Sequence, residues 1–168
     1  MEIERKWEIG GFPAGLPQID GAEMRQGYLC ADPVVRIRAE ERAGGSSYIL
    51  CIKGRGTLAR EEIETPVSRE VFERAAALIG VPLVHKRYRA YRLPDGRRLE
   101  VSLVDEGEET SFYYAEVEFA SVEEARAFVP PDFLGRELTE TPGASMSAYW
   151  QRRAVALRAG RPQGEEKR

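Results

Sequence analysis

Histidine and cysteine, the side chains that most often bind soft metals or act as nucleophiles, are nearly missing from this chain, which has one histidine, His85, and two cysteines, Cys30 and Cys51. The cysteines form no C-x-x-C arrangement, and each sits in an apolar, strand-like stretch. The expectation is therefore two reduced core thiols and not a disulfide or a metal site. Long hydrophobic runs are missing too. Nothing approaches the roughly 20 apolar residues of a membrane-spanning helix, and no apolar leader opens the chain, so a cytoplasmic protein is expected. Nor is there a surplus of positive charge, since 25 Lys and Arg stand against 28 Asp and Glu for a net charge of −3. Nucleic acid and membranes are thus not expected partners, and any bound anion must be held by a local cluster. Gly54-Arg55-Gly56 is followed by no Gly-Lys-Ser/Thr and reads as a turn, not a phosphate loop.

What is present is alternation. The 168 residues, 42% of them hydrophobic, are enough for one domain around a single core. In an extended strand successive side chains point to opposite faces, so Glu2, Glu4, Lys6 and Glu8 share one face while Ile3, Arg5, Trp7 and Ile9 share the other. The same pattern recurs in residues 22–30, 33–40, 47–53, 60–67, 83–93, 97–104 and 112–119, which are read as seven further strands. Pro94-Asp95-Gly96 joins two of them as a hairpin turn. Ser68 caps a predicted helix to Ile79 that Gly80 stops, and Ser121-Val122-Glu123-Glu124 is a capping box for a short second helix. A third helix is predicted from Ser145 to about Leu157, with residues 133–144 unassigned and 159–168 a polar tail.

The charged faces carry Glu2, Glu4 and Lys6, then Arg36 and Arg38, Lys53, Glu62 and Glu64, Arg87, Glu100, and Glu116 and Glu118. Two architectures accommodate them. An open antiparallel sheet would leave the charges in water and cover its apolar face with the helices. A closed barrel would turn the charges inward, which costs several kcal/mol for each uncompensated ion, so the interior would have to be a wet channel with ligands of both signs. A phosphate chain with a divalent cation meets both demands, because Arg and Lys bind phosphoryl oxygens while hard cations take carboxylates.

The ordered combination of Glu2-x-Glu4-x-Lys6, Gln26-Gly27-Tyr28-Leu29, Arg36-x-Arg38, Lys53, Arg60-x-Glu62-x-Glu64, Arg87 and Glu116-x-Glu118 resembles the CYTH, or triphosphate tunnel metalloenzyme, family, over residues 1–150. The resemblance implies a mainly β (α+β) fold in which an eight-stranded antiparallel tunnel spans residues 1–158, with a charged interior and a few packing helices. It implies that Lys6, Arg36, Arg38, Lys53 and Arg87, with His85 beside Arg87, clamp a triphosphate. Glu2, Glu4, Glu116 and Glu118, then Glu62 and Glu64, are the implied ligands of Mg2+ or Mn2+, and Glu4, Lys6 and Glu100 the residues closest to catalysis. The implied reaction is metal-dependent hydrolysis of inorganic tripolyphosphate to pyrophosphate and phosphate, by a monomer or homodimer. Members of the family also hydrolyse thiamine or nucleoside triphosphates or cyclise ATP, and a binding module that has lost catalysis is a further alternative. Three positions depart from the pattern: His85 replaces a lysine, Ser102 an aspartate in Glu100-Val101-Ser102, and Met146 an asparagine in Ser145-Met146.

Overall fold

The computed structural model describes residues 1–160. Nine strands, β1 (Glu2–Glu8), β2 (Gln18–Ala31), β3 (Val34–Arg42), β4 (Gly45–Lys53), β5 (Ala59–Arg60), β6 (Glu62–Pro66), β7 (Val84–Arg92), β8 (Arg98–Val104) and β9 (Phe112–Glu118), form one antiparallel sheet. Its order is β5-β1-β9-β8-β7-β2-β3-β4-β6. The strand expected over 60–67 is the source of the ninth, because it breaks at Glu61. Its first part pairs with β1 (Glu2 opposite Arg60) and its second with β4 (Lys53 opposite Glu62). One stretch of chain therefore joins the two ends of the sheet, which makes the barrel nearly closed.

The apolar outward faces explain why the sheet curls with its charges inside. Helix α1 (Arg69–Ile79) and helix α3 (Met146–Ala159) bury Phe72, Ile79, Tyr149, Trp150 and Ala154 against Ile37, Ala39, Val84 and Val104. On the opposite side, helix α2 (Val122–Ala127) and the segment after it cover Trp7, Leu99, Val101, Ala115 and Val117 with Phe119, Ala125, Phe128 and Leu134. The predicted caps Ser68 and Ser121 form, and Ser145, read as the first residue of the third helix, is its cap: the three accept from the backbone N–H groups of Val71, Glu124 and Ala148, and Gly80 ends α1 in the left-handed region at φ 69°. Helix α3 runs through Ala159, so the predicted tail begins inside it, and residues 161–168 lie outside the described residues.

Residues 133–144, unassigned by periodicity, seal the outer edge of β1. Gly135 N–H donates to Glu8 O, Glu8 N–H to Arg136 O, and Leu138 N–H to Lys6 O, at 2.8, 2.9 and 2.7 Å. Arg5 ties the same segment down through Glu137 and the carbonyls of Ala125 and Phe128. This satisfies an edge that would otherwise offer bare N–H and C=O groups. No helix among the described residues is long and apolar enough to cross a membrane.

Gly27 on β2 is where both large helices approach the barrel. A Cβ there would stand 2.6 Å from Leu83 Cδ2, 2.8 Å from Ile79 Cδ1 and 3.3 Å from Trp150 Cη2. Gly27→Ala is expected to destabilise the fold by about 1–3 kcal/mol through overpacking. The check is urea unfolding, and a variant as stable as wild type would mean that the helices shift without cost.

Candidate active site

The barrel encloses a cavity of about 910 Å3. Glu2, Glu4, Lys6, Arg36, Arg38, Lys53, Glu62, Glu64, Glu100, Glu116 and Glu118 all line it. Eleven of the thirteen sequence-predicted positions are thus brought together, from six different strands. Lys6, Arg36 and Lys53 are 8, 8 and 7% exposed, so their charges lie deep in the wall and not in open water.

The other two are not brought together with these. His85 and Arg87 point to the outside of β7, where the His85 imidazole lies 2.9 Å from Glu23 and the Arg87 guanidinium 3.3 Å from Glu23 and 2.7 Å from Glu106. Strand parity sends their neighbours Lys86 and Tyr88 inward instead. The signal lay in the hairpin. Arg92 pairs with Arg98, which sets Ala90 opposite Glu100, so an inward Glu100 requires inward Tyr88 and Lys86. Arg60, Glu40, Arg42, Arg98 and Tyr114 also line the cavity, and alternation marks the first three as inner-face positions because they continue the 60-62-64 and 36-38 rows. Residues 138–147, including the start of α3, line it too, which no periodicity shows.

Almost every cation is paired with a carboxylate, and the pairs form a chain around the wall. Arg98 holds Glu100 at 2.8 Å and Asp20 at 2.7 Å; Asp20 holds Arg42, Arg42 holds Glu40, and Glu40 holds Arg38 at 2.6 Å. Glu64 then links Arg38 and Arg36 at 3.3 and 3.1 Å, Glu62 links Arg36 and Lys53 at 3.9 and 3.1 Å, and Glu2 links Lys53 and Arg60 at 2.8 and 2.9 Å. Arg60 ends the chain on Glu4 at 2.8 Å. Glu100 is further engaged by the Tyr88 hydroxyl, which donates to it at 2.7 Å.

Two groups stand apart from this neutrality. Burial, then repulsion from Glu116 and Glu2, raises the Glu4 carboxyl to about 8 against the pull of Lys53 and Arg60. Burial also raises Glu118, with Glu100 and Glu2 adding repulsion. On Lys86, which donates to the Tyr114 hydroxyl at 2.6 Å, burial lowers the ammonium to about 7 against the pull of Glu116, with Arg38, Arg36 and Lys6 adding repulsion. Glu116 itself is lowered, its burial more than offset by Lys6, Lys86 and Lys53. One part of the wall is therefore short of positive charge and another short of negative charge.

Both shortages fit a metal-bearing polyanion. Glu2, Glu4, Glu116 and Glu118 offer only oxygen donors, the chemistry that a hard divalent cation takes, although among the described residues no three of them place ligand atoms within 4.8 Å of one another. The buried Nε of Arg36 has no hydrogen-bond partner among the described residues and would be satisfied by a phosphoryl oxygen. Cys51, Glu62 and Glu64 do place one ligand atom each within 4.8 Å of one another. That trio is the poorer site for a hard cation, because one of its three donors is a thiol. The Cys51 thiol, pushed up to about 12 chiefly by burial, stays protonated and lies 3.0 Å from Glu62. Cys51 is buried as expected, although in the cavity wall, and Cys30 is exposed, because a bulge between Tyr28 and Cys30 ends the regular alternation.

No family model matches the sequence. An inorganic triphosphatase of Nitrosomonas europaea is 35% identical over 139 residues, covering 83% of this chain and 89% of that protein. This chain belongs to the same family. The crystal structure of the inorganic triphosphatase NE1496 superposes with a TM-score of 0.62 at 30% identity, covering 89% of this chain and 93% of that one. Two further structures share the fold. PH1819 from Pyrococcus horikoshii has a TM-score of 0.60 at 17% identity over 92% of this chain and 99% of its own. HpAC1 from Hippeastrum, described as a putative adenylyl cyclase with a dominant triphosphatase activity, has 0.51 at 19% identity over 75% and 83%. The triphosphate tunnel family inferred from the ordered motifs is thus the family to which the chain belongs.

The Glu4 carboxyl gives a pH signature without any ligand. Its ordinary value near 4.5 is raised to about 8, so between these the folded protein holds a proton that the unfolded chain has released. Stability from this group is complete below 4.5 and is lost as the pH rises through 8. In protein stripped of divalent metal, Glu4→Gln is expected to raise the melting temperature at pH 8 by about 4–8 °C for a relief of roughly 2 kcal/mol. The gain shrinks at pH 5, where wild-type Glu4 is already neutral. Equal effects at both pH values would show that the carboxyl titrates normally.

Proposed function

We propose that the protein hydrolyses inorganic tripolyphosphate to pyrophosphate and phosphate with Mg2+ or Mn2+. The observation that carries this reading is a nearly closed cavity whose wall alternates cations and carboxylates, with Lys6, Arg36, Lys53 and Lys86 buried. The relationship to an inorganic triphosphatase at 35% identity supports the choice of substrate. Since residues of one chain line the cavity, a monomer suffices for the chemistry, and a homodimer of such chains is equally compatible with it. We place the protein in the cytoplasm and treat residues 1–158 as one catalytic domain.

In the mechanism Lys6, Arg36, Arg38, Lys53 and Lys86 hold the phosphoryl oxygens, and their charge is worth most in the transition state, when charge spreads over the equatorial oxygens of the transferred group. Glu2, Glu4, Glu116 and Glu118 would hold the divalent ion, which supplies polarisation of those oxygens and charge neutralisation. The segment 138–147 lines the cavity and keeps bulk water from one end of it. Lys86, near 7 when the cavity is empty, takes up a proton as the anion arrives and becomes a full cation against it.

Charge pairing couples the ligands. A phosphate that takes Arg36 from Glu62 and Glu64 leaves each carboxylate with one basic partner in place of two, Lys53 and Arg38, while a cation arriving with it restores the balance. Tripolyphosphate is therefore expected to bind at least about tenfold tighter with Mg2+ than without it, by calorimetry.

Phosphate release from tripolyphosphate, ATP and thiamine triphosphate tests the activity directly. Release that favours tripolyphosphate and requires metal is expected, with Arg36→Ala and Glu4→Gln each losing about 100-fold in kcat/KM. Arg87→Ala and His85→Ala should stay within about twofold of wild type, because their charges face solvent. Binding without release would leave an anion-binding protein, and a large loss in Arg87→Ala would overturn the placement of the site.

A further inference from the structure

The inner face of β3 carries Arg36, Arg38, Glu40 and Arg42 in a row, a track of about 20 Å from Arg36 to Arg42 at 3.3 Å per residue. Three phosphates do not need that length, and a cavity of about 910 Å3 does not forbid a longer chain. Space alone therefore sets no upper limit on the anion.

Charge does. The track ends at the rim where β3 ends and β2 and β8 begin. Here the guanidiniums of Arg42 and Arg98 have side chains 33 and 42% exposed, against 10% for Arg36. Both are held by a single carboxylate, Asp20, at 3.3 and 2.7 Å. Asp20 sits at a register shift of β2, where its Oδ1 also accepts the Gly21 N–H at 2.8 Å. To reach it Arg98 crosses β7 at Ala90, whose small side chain leaves room. Glu40 holds Nη1 of Arg42 and ties it to Arg38. Two cations that would have extended the phosphate track are thus spent on protein carboxylates, at the end of the cavity opposite the segment 138–147.

We propose that Asp20, by holding Arg42 and Arg98, sets the chain length of the polyphosphate that the cavity accepts and ends the anion path after the third phosphate. The proposal rests on the triphosphate reading of the same cavity. Asp20 touches no reacting group and acts through the two arginines, so it is a specificity-determining residue and not a catalytic one. A fourth phosphate would have to displace it and would meet its negative charge.

The test is calorimetric binding of linear tripolyphosphate and tetrapolyphosphate with Mg2+ to wild type, Asp20→Asn and the double variant Asp20→Asn/Arg98→Met, with phosphate release measured alongside. Asn keeps the bond to Gly21 N–H but no longer neutralises the arginines. The expected result is a gain of about five- to tenfold in tetrapolyphosphate affinity relative to tripolyphosphate, the size of one partly screened charge contact. The double variant should lose it. Asp20→Ser, which removes the same negative charge from beside the two guanidiniums, serves if Asp20→Asn does not fold. An unchanged affinity ratio in a folded variant, or a gain that survives removal of Arg98, would overturn the proposal. Wild type that binds tripolyphosphate but releases no phosphate would instead refute the hydrolase reading, while the affinity ratio would still decide the role of Asp20.

Discussion

Turning the charged faces of a sheet inward is tolerable only if every buried charge finds an opposite one, and that constraint organises the rest of the molecule. An uncompensated ion in the wall would cost several kcal/mol, a large part of a domain's whole stability. The fold answers by alternating sign along the chain from Glu100 through Asp20, Glu40, Glu64 and Glu62 to Glu4, each carboxylate shared by two basic residues except at the two ends. Outside the barrel the same logic runs on apolar surface, where α1, α2 and α3 cover what the inward charges leave exposed. The barrel and its helices are thus two consequences of one binary pattern.

Pairing also positions. A guanidinium held by two carboxylates has lost most of its rotamer freedom before any ligand arrives, so less entropy remains to be lost on binding. Arg36 shows this most directly: Glu62 and Glu64 both hold its Nη2 while its Nε stays unpartnered among the described residues. The wall is electrostatically preorganised in the sense that matters for phosphoryl transfer, with donors already standing where charge will develop. What remains frustrated is confined to Glu4 and Glu118, short of cations, and Lys86, short of anions. Residues that break local consistency in this way cluster at functional sites.

Most of this was legible because period-two alternation reports a face without reporting the partner. Glu2, Glu4 and Lys6 could be put on one face from their spacing alone, as could Arg36 with Arg38 and Glu116 with Glu118, and the caps of two helices were written in Ser68 and Ser121. Alternation does not say whether that face is wet or enclosed. Closure depends on Glu61, where a strand read as continuous changes partners from β1 to β4, and such a break leaves no periodic trace. The error at His85 and Arg87 has a different origin: a motif was matched by residue type, one position out of register, and a slip of one residue in a strand exchanges its faces. Residues 133–144 were opaque because they bond to an edge through backbone groups, for which side-chain pattern carries little information.

The C-terminal helix shows how far the constraint reaches. Asp105, in a left-handed conformation at φ 45°, accepts from His85 N–H at 2.9 Å, from the Tyr149 hydroxyl at 2.7 Å and from Arg153 Nε at 2.8 Å. A non-glycine residue at positive φ is uncommon, and here three donors hold it in place. Through it α3 is fastened to the end of β8, and the segment 138–147 that lines one end of the cavity is held between α3 and the edge of β1. His85 therefore matters to the site by its backbone and not its imidazole: its N–H helps to anchor Asp105, while Lys86, the next residue, turns its ammonium into the cavity. One strand thus fastens the closing helix with the backbone of His85 and supplies the phosphate-facing cation with the side chain of Lys86.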